Sequence, residues 1–486
     1  MVRERVARVA VLLGVATAAM VVGLVAAPRA DAAQGAQAPS PSLVGQWAGQ
    51  ISLPPGPLAI AVALAVDAAG AWSGTIDIPA QGAYGIGLSN IVVANRDVRF
   101  AMAGVPGDPR FSGTLSDDGQ AITGTFSQGG ATLGFELKRG APPVAARPQE
   151  PKSPFPYRDD LVSYRNDAAN ISLAGTLTVP QGAGPFPAVL LISGSGSQDR
   201  NSTIMGHKPF LLWADTLTRR GIAVLRVDDR GVGGSERGTV TPTSADLADD
   251  VRAGVAFLSS LPNVDATRIG LIGHSEGAAI AAMVAADTPA VRFIVMLAGS
   301  GVRGDRLMMQ QVEAIATAQG LPRPVIDWDL AMRRRVYDQI MAERDGQPDQ
   351  AARQALLDSI PTIPGTPDAA LARQSATQLL DAVSGRWWRF ALAHDPGDSL
   401  RRMQVPVLAL VGERDLQVSA RENIPAIRAA LEAGGNADIT VRALPELNHL
   451  LQTAKTGQVS EYEHIEETIA PSVLTLVSEW IVARAN

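Results

Sequence analysis

The stretch Ile269-Gly-Leu-Ile-Gly-His-Ser-Glu-Gly-Ala-Ala-Ile280 decides the fold of this 486-residue chain. An apolar run, Ile269–Ile272, leads into Gly273-His-Ser-Glu-Gly277, and small residues typical of a tightly packed helix follow from Ala278. A serine on a sharp turn between strand and helix is exposed and strained, and the flanking glycines let neighbouring backbone approach. The motif predicts a nucleophile at Ser275 and an oxyanion donor at the backbone N–H of Glu276, at the N-terminus of the helix.

Apolar runs on both sides of this motif predict the rest of the sheet. They are rich in Val, Ile and Leu without alternation, as strands buried on both faces are. Helical stretches lie between them, one of which begins with the capping box Thr243-x-x-Asp246. This order predicts an α/β fold with a mostly parallel sheet and helices on both sides. The runs are Ala188–Ile192, Ile222–Val227, Ile269–Ile272, Phe293–Leu297, Val407–Val411 and Ile439–Leu444, after an opening pair at Leu161–Tyr164 and Leu173–Val179.

A serine nucleophile needs a base and an acid, and the last two predicted strands supply them. His449 follows Ile439–Leu444, so it lies at the carboxyl edge of the sheet. Asp415 follows Val407–Val411, and the order Ser, Asp, His is the one used by serine hydrolases of α/β fold. Asp415 would hold the His449 tautomer and stabilise the imidazolium. Glu413 is the alternative acid.

The other four histidines are weaker candidates for the base. His274 directly precedes Ser275, so its ring cannot easily reach across to the hydroxyl. His207 precedes the nucleophile in the chain, His394 ends the helical insertion described below, and His464 is predicted to lie on the surface at the start of the terminal helix.

Two glycine-rich loops fit the same edge of the sheet. Ser193-Gly-Ser-Gly196 follows a predicted strand and can aim a backbone N–H at a carbonyl oxygen, with Ser195 favoured as donor and Gly196 close behind. Asp228-Asp-Arg-Gly-Val-Gly-Gly-Ser235 is predicted to be a structural turn in which Arg230 and the acids satisfy loop amides and carbonyls. A phosphate-binding role for these glycines is not supported, because no Gly-Lys-Ser/Thr follows them.

A long helical insertion interrupts the alternation of strands and helices. Residues from about 303 to 400 contain no good strand, and an insertion at this point would lie over the carboxyl edge as a lid. Trp387, Trp388 and Phe390 are its most aromatic cluster. They either pack within the lid or line a substrate pocket, since such pockets are mostly apolar.

The N-terminal third is predicted to contain three further segments. Residues 1–32 have a basic start, an apolar middle and the cleavage pattern Ala30-Asp-Ala32, as in a secretory signal peptide; the alternative is an uncleaved membrane anchor. Residues 43–140 show short alternating runs, with a recurring Gly within Trp72-Ser-Gly-Thr-Ile76 and two similar pentapeptides, which predicts a small antiparallel barrel or sandwich. It is either a structural appendage or a docking module. Residues 141–156 are a proline-rich linker, and 157–486 form the α/β domain.

Composition excludes several classes of chemistry. The chain has no cysteine, which removes disulfides, thiolate metal sites and thiol nucleophiles. The formal net charge of −6 is unlike the basic footprint of a nucleic-acid binder. No metal site and no cofactor are expected.

The chain resembles the α/β-hydrolases, and specifically bacterial EstD-type carboxylesterases, which carry a β domain before the hydrolase domain. The resemblance rests on Ile76-Asp-Ile-Pro-Ala-Gln-Gly-Ala-Tyr84, Ser193-Gly-Ser-Gly-Ser-Gln-Asp-Arg200, Gly273–Gly277, Gly412–Leu416 and Asn448-His449. It implies an α/β-hydrolase fold and the triad Ser275, Asp415 and His449. Related chains are often labelled serine aminopeptidases, so it is less specific for substrate.

The leading functional hypothesis is an exported serine esterase that acts on small acyl esters. A peptidase or amidase using the same triad is the alternative, and a non-catalytic binding protein of the cell envelope is a remote one. Ser275 excludes dehalogenase and epoxide-hydrolase variants, which need an Asp nucleophile. Membrane contact is expected only if the N-terminal segment stays uncleaved, and the sequence does not indicate the oligomeric state.

Overall fold

The structure is a computed structural model that describes residues 43–485 except 54–56, 68, 79–82, 106, 130, 141–145, 344–345 and 367–368. The predicted signal peptide, 1–32, and the first part of the predicted linker lie outside the described residues. In the part that is described, no helix combines the length and apolarity needed to cross a bilayer.

The first sheet is an antiparallel barrel that closes between its first and last strands. It confirms the predicted small β domain and selects the barrel over the sandwich. Its strands are β1 (Gly45–Ile51), β2 (Leu58–Val66), β3 (Trp72–Ile78), β4 (Ala83–Ala94), β5 (Asp97–Met102), β6 (Arg110–Leu115), β7 (Ala121–Gln128) and β8 (Ala131–Arg139).

The recurring mid-strand glycines of the barrel allow close approach between strands. Gly113 of β6 lies opposite Gly124 of β7, and a Cβ on Gly124 would lie 2.1 Å from the carbonyl oxygen of Ser112. A Cβ on Gly74 would lie 2.5 Å from the carbonyl oxygen of Ala63. The register shifts of the barrel lie between Ile76 and Ile78 of β3 and between Ser89 and Val92 of β4, so none falls on a repeated glycine. The repeated glycine therefore serves the close packing of neighbouring strands.

Large apolar side chains fill the barrel. Phe111 lies at the centre of a ring cluster, 4.7 Å from Phe100, 4.8 Å from Phe126 and 5.1 Å from Phe135 between ring centroids. Trp47 is fully buried and donates its indole N–H to the carbonyl of Leu43. The interior is a packed hydrophobic core, as is usual for barrels of eight strands.

The second sheet confirms the predicted α/β fold. Its strands are β9 (Arg158–Asn166), β10 (Ile171–Val179), β11 (Phe186–Ile192), β12 (Ala223–Val227), β13 (Val264–His274), β14 (Val291–Leu297), β15 (Val407–Gly412) and β16 (Ile439–Leu444). The spatial order is β9-β10-β12-β11-β13-β14-β15-β16. β10 alone runs in the direction opposite to the other seven strands, so the last six strands in sequence end at one edge.

Helices cover both faces of this sheet, which explains the strands without polar alternation. In β11, Leu190 and Ile192 belong to one core cluster, whereas Val189 and Leu191 belong to the other. The first core includes residues of α2 (Ser244–Ser260), α3 (Glu276–Asp287) and α10 (Ala420–Ala433). The second includes residues of α1 (Pro209–Thr218) and α12 (Pro471–Ala485). The terminal helix thus begins at Pro471, and His464 lies just after the short α11 (Val459–Tyr462).

The chain between β14 and β15 is helical, as predicted for the lid. It contains α4 (Gly304–Ala318), α5 (Arg323–Ala342), α6 (Gln350–Asp358), α7 (Ala369–Ala382), α8 (Arg386–Ala393) and α9 (Pro396–Arg402). Glu343, which has no exposed side-chain surface, accepts hydrogen bonds from Arg353 at 2.5 Å and Arg389 at 2.6 Å. Arg353 chiefly, with Arg389, lowers the pKa of Glu343 to about 2 despite the opposing effect of burial. This buried carboxylate joins α6 and α8 to the end of α5.

Contacts divide the chain into two compact units. The first contains the barrel together with Gln319–Asp329 and Leu357–Leu379, and the second contains Ala146–Ala318, Leu330–Leu356 and the chain from Leu380 onward. The division at Ala146 falls within the predicted linker, residues 141–156. Arg147 donates to the carbonyls of Met205, Glu463 and Ile465 at 2.8–2.9 Å, so this proline-rich segment is fixed to the second unit.

Candidate active site

The turn between β13 and α3 holds Ser275 in a conformation that few non-glycine residues adopt. Its φ is 56° and its ψ is −119°. The two motif glycines make room for the turn: a Cβ on Gly273 would lie 2.1 Å from the carbonyl oxygen of Gly277, and one on Gly277 would lie 2.2 Å from that of Ile192. The backbone N–H of Ser275 donates to Leu297 at 2.8 Å. Strain of this kind persists only where the surrounding structure imposes it, as at nucleophile turns.

Asp415 and His449 form a buried pair. His449 Nδ1 donates to Asp415 Oδ2 at 2.8 Å, and the two side chains are 6% and 0% exposed. The other carboxylate oxygen accepts the backbone N–H groups of Gln417 and Val418, both at 2.8 Å. Because Nδ1 carries the shared proton, Nε2 of His449 is left as the basic nitrogen. The alternative acid, Glu413, lies exposed on the same loop.

The loop that carries His449 is held by a network of buried amides. Asn448 is fully buried, and its Oδ1 accepts the N–H groups of Leu450 and Gln452 at 3.0 Å. Gln452 Nε2 lies 2.9 Å from both the Glu467 carbonyl oxygen and His207 Nε2. His207 is itself buried, and burial lowers its pKa to about 4. His207 therefore belongs to the support of this loop.

His274 contacts the histidine loop directly. Its Nε2 donates to the backbone carbonyl of His449 at 2.9 Å, and the two ring centroids are 4.9 Å apart. Burial, reinforced by the nearby His449, lowers the pKa of His274 to about 4, so the ring is neutral at physiological pH. The ring therefore links the nucleophile turn to the base. Its position next to Ser275 in the chain makes His274 a weak candidate for the base, but nothing in the motif indicated this bridging contact.

The loop Ser193–Gly196, which is predicted to supply an oxyanion donor, lies against the nucleophile. A Cβ on Gly194 would be 3.2 Å from the Cβ of Ser275 and 3.4 Å from the carbonyl oxygen of His274. The next residue, Ser195, is exposed, and Glu276 begins α3 immediately after the nucleophile. Among the described residues, the Ser275 hydroxyl has no hydrogen-bond partner. Catalytic contacts of this type often form only when substrate is bound.

The lid contributes one direct contact beside the nucleophile. Trp387 of α8 donates its indole N–H to Glu276 Oε1 at 2.8 Å, and the same oxygen accepts from Ser244 Oγ at 2.5 Å. The rings of Trp387 and Trp388 meet edge to face at 5.2 Å. Phe390 instead stacks on His394, the residue that directly follows α8, at 5.2 Å between ring centroids. The structure thus brings Trp387 to the residue that follows Ser275.

The first turn of α8 is tied to α2 by an ion pair. Arg386 bonds to Asp246, the acid of the predicted capping box, and to the carbonyl of Thr241 at 3.1 Å. Burial raises the pKa of Asp246, but hydrogen bonds from Arg386 and Thr243 outweigh it and hold the value at about 2.

The remaining candidates lie away from these contacts. His464 is 74% exposed and pairs with Glu463. No group of His, Asp and Glu side chains suited to a metal ion occurs among the described residues.

Comparison with solved structures finds chains of hydrolase type at low similarity. The Pyrococcus furiosus esterase Pf2001 is 14% identical, with a TM-score of 0.40 over 71% of this chain and 100% of that one. A proline iminopeptidase from Mycobacterium smegmatis is also 14% identical, with a TM-score of 0.39 over 67% of this chain and 99% of that one.

Two characterised relatives are similar in sequence. Esterase EstD of Thermotoga maritima is 24% identical over 327 residues, which cover 67% of this chain and 69% of EstD. Esterase FrsA of Escherichia coli O6:H1 is 30% identical over 126 residues, which cover 26% of this chain and 28% of FrsA.

The profile of one hydrolase family matches residues 209–455, just over half of the chain. That span includes Ser275, Asp415 and His449. The chain belongs to the α/β-hydrolase family described as serine aminopeptidase, S33.

Proposed function

We propose that this protein hydrolyses carboxylic esters through an acyl-enzyme formed on Ser275. The observation that carries the proposal is the buried Asp415–His449 pair, 2.8 Å between Oδ2 and Nδ1. The turn that holds Ser275 at a φ of 56° bonds to the same histidine loop through its neighbour His274. Ser275 Oγ attacks the ester carbonyl while His449 Nε2 takes the hydroxyl proton. Asp415 stabilises the imidazolium that results.

The tetrahedral intermediate is stabilised by the backbone N–H groups of Ser195 and Glu276. Its collapse breaks the bond to the alcohol, which receives the proton from His449. Water, deprotonated by His449, then attacks the acyl-enzyme, and the carboxylic acid leaves with Ser275 restored. No metal or cofactor takes part in this sequence.

We assign the acyl pocket to the aromatic residues of α8. The contact between Trp387 and Glu276 supports a wall made by Trp387 and Trp388, with Phe390 on the same helix. An apolar wall binds the acyl carbons that it contacts, so a longer acyl chain gains more binding energy from it than acetate does. Replacing Trp387 by Ala should raise KM more for p-nitrophenyl butyrate than for the acetate. Equal changes for the two esters would remove Trp387 from the acyl pocket.

The family description favours a second candidate, hydrolysis of aminoacyl amides by the same triad. Such an enzyme needs a negative group that binds a free α-amino group. Glu276 carries a carboxylate and directly follows Ser275 in sequence, but its Oε1 already accepts two hydrogen bonds within the protein. Comparison of p-nitrophenyl acetate with aminoacyl p-nitroanilides distinguishes the two activities, and a higher kcat/KM for the anilides would reverse the order of the candidates.

The decisive experiment is labelling with a fluorophosphonate. Wild type should be labelled on Ser275 and should hydrolyse short esters, and Ser275→Ala should do neither while keeping its melting temperature. An unlabelled and inactive wild type would favour the remote alternative of a non-catalytic binding protein of the cell envelope.

Export is part of the proposal and rests on the sequence of residues 1–32 alone. N-terminal sequencing of the protein from the culture medium or cell envelope should find a chain that begins near residue 33. A chain that retains residues 1–32 in the membrane fraction would instead identify an uncleaved anchor.

A further inference from the structure

The strand order brings the Asp228–Ser235 turn beside the loop that carries Ser195. The strand β11 lies between β12 and β13 and runs parallel to both. Ser193–Arg200, here called the oxyanion loop, follows β11, and the acidic turn follows β12. The nucleophile turn follows β13, so the oxyanion loop lies between the other two.

Asp229 binds the oxyanion loop on both sides of Ser195. Ser193 Oγ donates to the Asp229 carboxylate at 2.9 Å, and the backbone N–H of Gln198 donates to it at 2.8 Å. The backbone N–H of Asp229 in turn donates to the carbonyl of Gln198 at 3.0 Å. One carboxylate therefore fixes the two ends of the short segment that contains the proposed oxyanion donor.

The neighbouring carboxylates have different partners. Asp228 binds the backbone N–H and the guanidinium of Arg200, at the far end of the oxyanion loop. Asp250 of α2 binds Arg230 at 2.5 Å and Asn166 at 2.6 Å, neither of which belongs to the oxyanion loop. Asp229 is thus the carboxylate whose bonds bracket Ser195, and Asp250 is a nearby carboxylate that supports the scaffold.

The surroundings of Asp229 oppose its charge. Burial raises the pKa of Asp229 to about 7, although the bonds from Gln198 and Ser193 lower it. The charges of Glu276 and Asp250 raise it further, and the Tyr164 hydroxyl interacts with the same carboxylate. A partly buried carboxylate in such a place costs stability, which indicates a role other than stabilising the fold.

We propose that Asp229 is a positioning residue that holds the oxyanion loop so that the Ser195 N–H points at the oxyanion. The inference rests on the proposed ester hydrolysis and deepens it. The two oxygens of a carboxylate accept both donors at once. The amide of Asp229→Asn has one oxygen, so either the Gln198 N–H faces the NH₂ group and loses its acceptor, or the Ser193 hydroxyl must reverse and accept from that group. Asp229→Asn should therefore weaken the hold on one end of the segment with little change in volume.

The test compares Asp229→Asn with Asp250→Asn, a matched change of a nearby carboxylate. For each variant, kcat and KM for p-nitrophenyl acetate and Ki for an aryl trifluoromethyl ketone are measured. The ketone adds Ser275 Oγ to its carbonyl carbon, and its oxygen then occupies the oxyanion hole. Loss of one oxyanion donor lowers kcat roughly 10²-fold or more. Asp229→Asn should lower kcat and raise Ki by about 10²-fold with KM within threefold, whereas Asp250→Asn should lower the melting temperature with kcat and Ki within threefold.

A second variant covers the case in which Asp229→Asn does not fold. Ser193→Ala removes the side-chain partner of Asp229 and leaves the carboxylate in place, and it should lower kcat about tenfold with KM unchanged. The double variant should be no slower than Asp229→Asn, because the two residues act through one bond.

Three results would overturn the inference. Asp229→Asn and Ser193→Ala could both keep kcat and Ki within threefold of wild type, or Asp250→Asn could match the loss seen in Asp229→Asn. A wild type that neither hydrolyses esters nor reacts with a fluorophosphonate would overturn the proposed function, and this inference with it.

Discussion

The two sheets of this protein have eight strands each but differ in how many polar side chains they bury. Among the described residues of the barrel strands, Gln128 is the single buried polar side chain. At the carboxyl edge of the second sheet, Asp228, Asp415, Asn448 and His449 are all buried. Strand direction explains the difference. Antiparallel strands return through short turns at both ends, whereas parallel strands bring the loops that follow them to one edge, where polar groups satisfy each other.

The reactive groups of this chain are therefore expected at the carboxyl edge of the second sheet. The barrel gains its stability from packed rings and has no described cluster of titratable groups inside. The second sheet accepts buried carboxylates and strained backbone, which cost stability but place reactive groups.

Replacing His449 should abolish the chemistry of the second sheet. His449→Ala should lower kcat by roughly 10⁴-fold or more, because the nucleophile loses its base. His464→Ala is the matched control, since this exposed histidine should change kcat less than twofold. Ester hydrolysis by the purified variants measures both. If His449→Ala stayed within tenfold of wild type, the base would have to be another group and the assignment of Ser275 would lose its support.

Removing the central ring of the barrel should affect stability alone. Phe111→Ala should cost the barrel about 3–5 kcal/mol of unfolding free energy, because it leaves a cavity among three other rings. At 25 °C, kcat on p-nitrophenyl acetate should stay within twofold of wild type. Calorimetry and ester assays check the two parts, and Phe111→Leu should give an intermediate stability. A fall in kcat with a folded barrel would show that the barrel contributes to catalysis.

Two truncations should locate the start of the second unit. Chains that begin at Ala146 and at Pro156 both lack the barrel, but only the first keeps Arg147 and Gln149. The side chain of Gln149 exchanges hydrogen bonds with Thr468 and Ile469, so both residues hold the segment beside the histidine loop. At about 1 kcal/mol for each net hydrogen bond, the shorter chain should melt about 5–10 °C lower. Equal melting temperatures would mean that residues 146–155 act as a free linker.

Acid should destabilise the second unit through His207. Burial lowers the pKa of His207 from 6.5 to about 4, so its contribution to stability is present above pH 6.5 and is lost as the pH falls towards 4. Asp229 has the opposite pH dependence. Its pKa is raised to about 7, so its neutral form stabilises the fold at low pH and this stabilisation is lost as the pH rises towards 7. The barrel strands contain no histidine.

Comparison of wild type with His207→Gln isolates the first effect. Between pH 7 and pH 5 the variant should lose less unfolding free energy than wild type, by about 1–2 kcal/mol. His464→Gln is the control and should follow wild type. An unchanged pH dependence in His207→Gln would show that His207 is not kept neutral by burial.

Sequence patterns alone determined the fold class and the order of the chemical groups. Strands buried on both faces are uniformly apolar, and alternating strands and helices indicate a parallel sheet. The loops that follow β13, β15 and β16 were therefore predicted to lie at the same edge of that sheet. Ser275, Asp415 and His449 follow from that rule together with the glycines that the turn requires. The small antiparallel β domain follows equally from its short alternating runs, although its closure into a barrel does not.

Tertiary structure decided which polar groups touch. Asp415 and Glu413 lie two residues apart on one loop, and only the fold buries the first against His449 and exposes the second. The bridge from His274 to the His449 carbonyl joins residues 175 positions apart, and the bond from Trp387 to Glu276 joins residues 111 apart. Local propensity depends on near neighbours and carries no signal for such pairs. Their geometry is fixed only when the sheet and its helices pack, because a buried polar group must then find its partner wherever the chain has placed it.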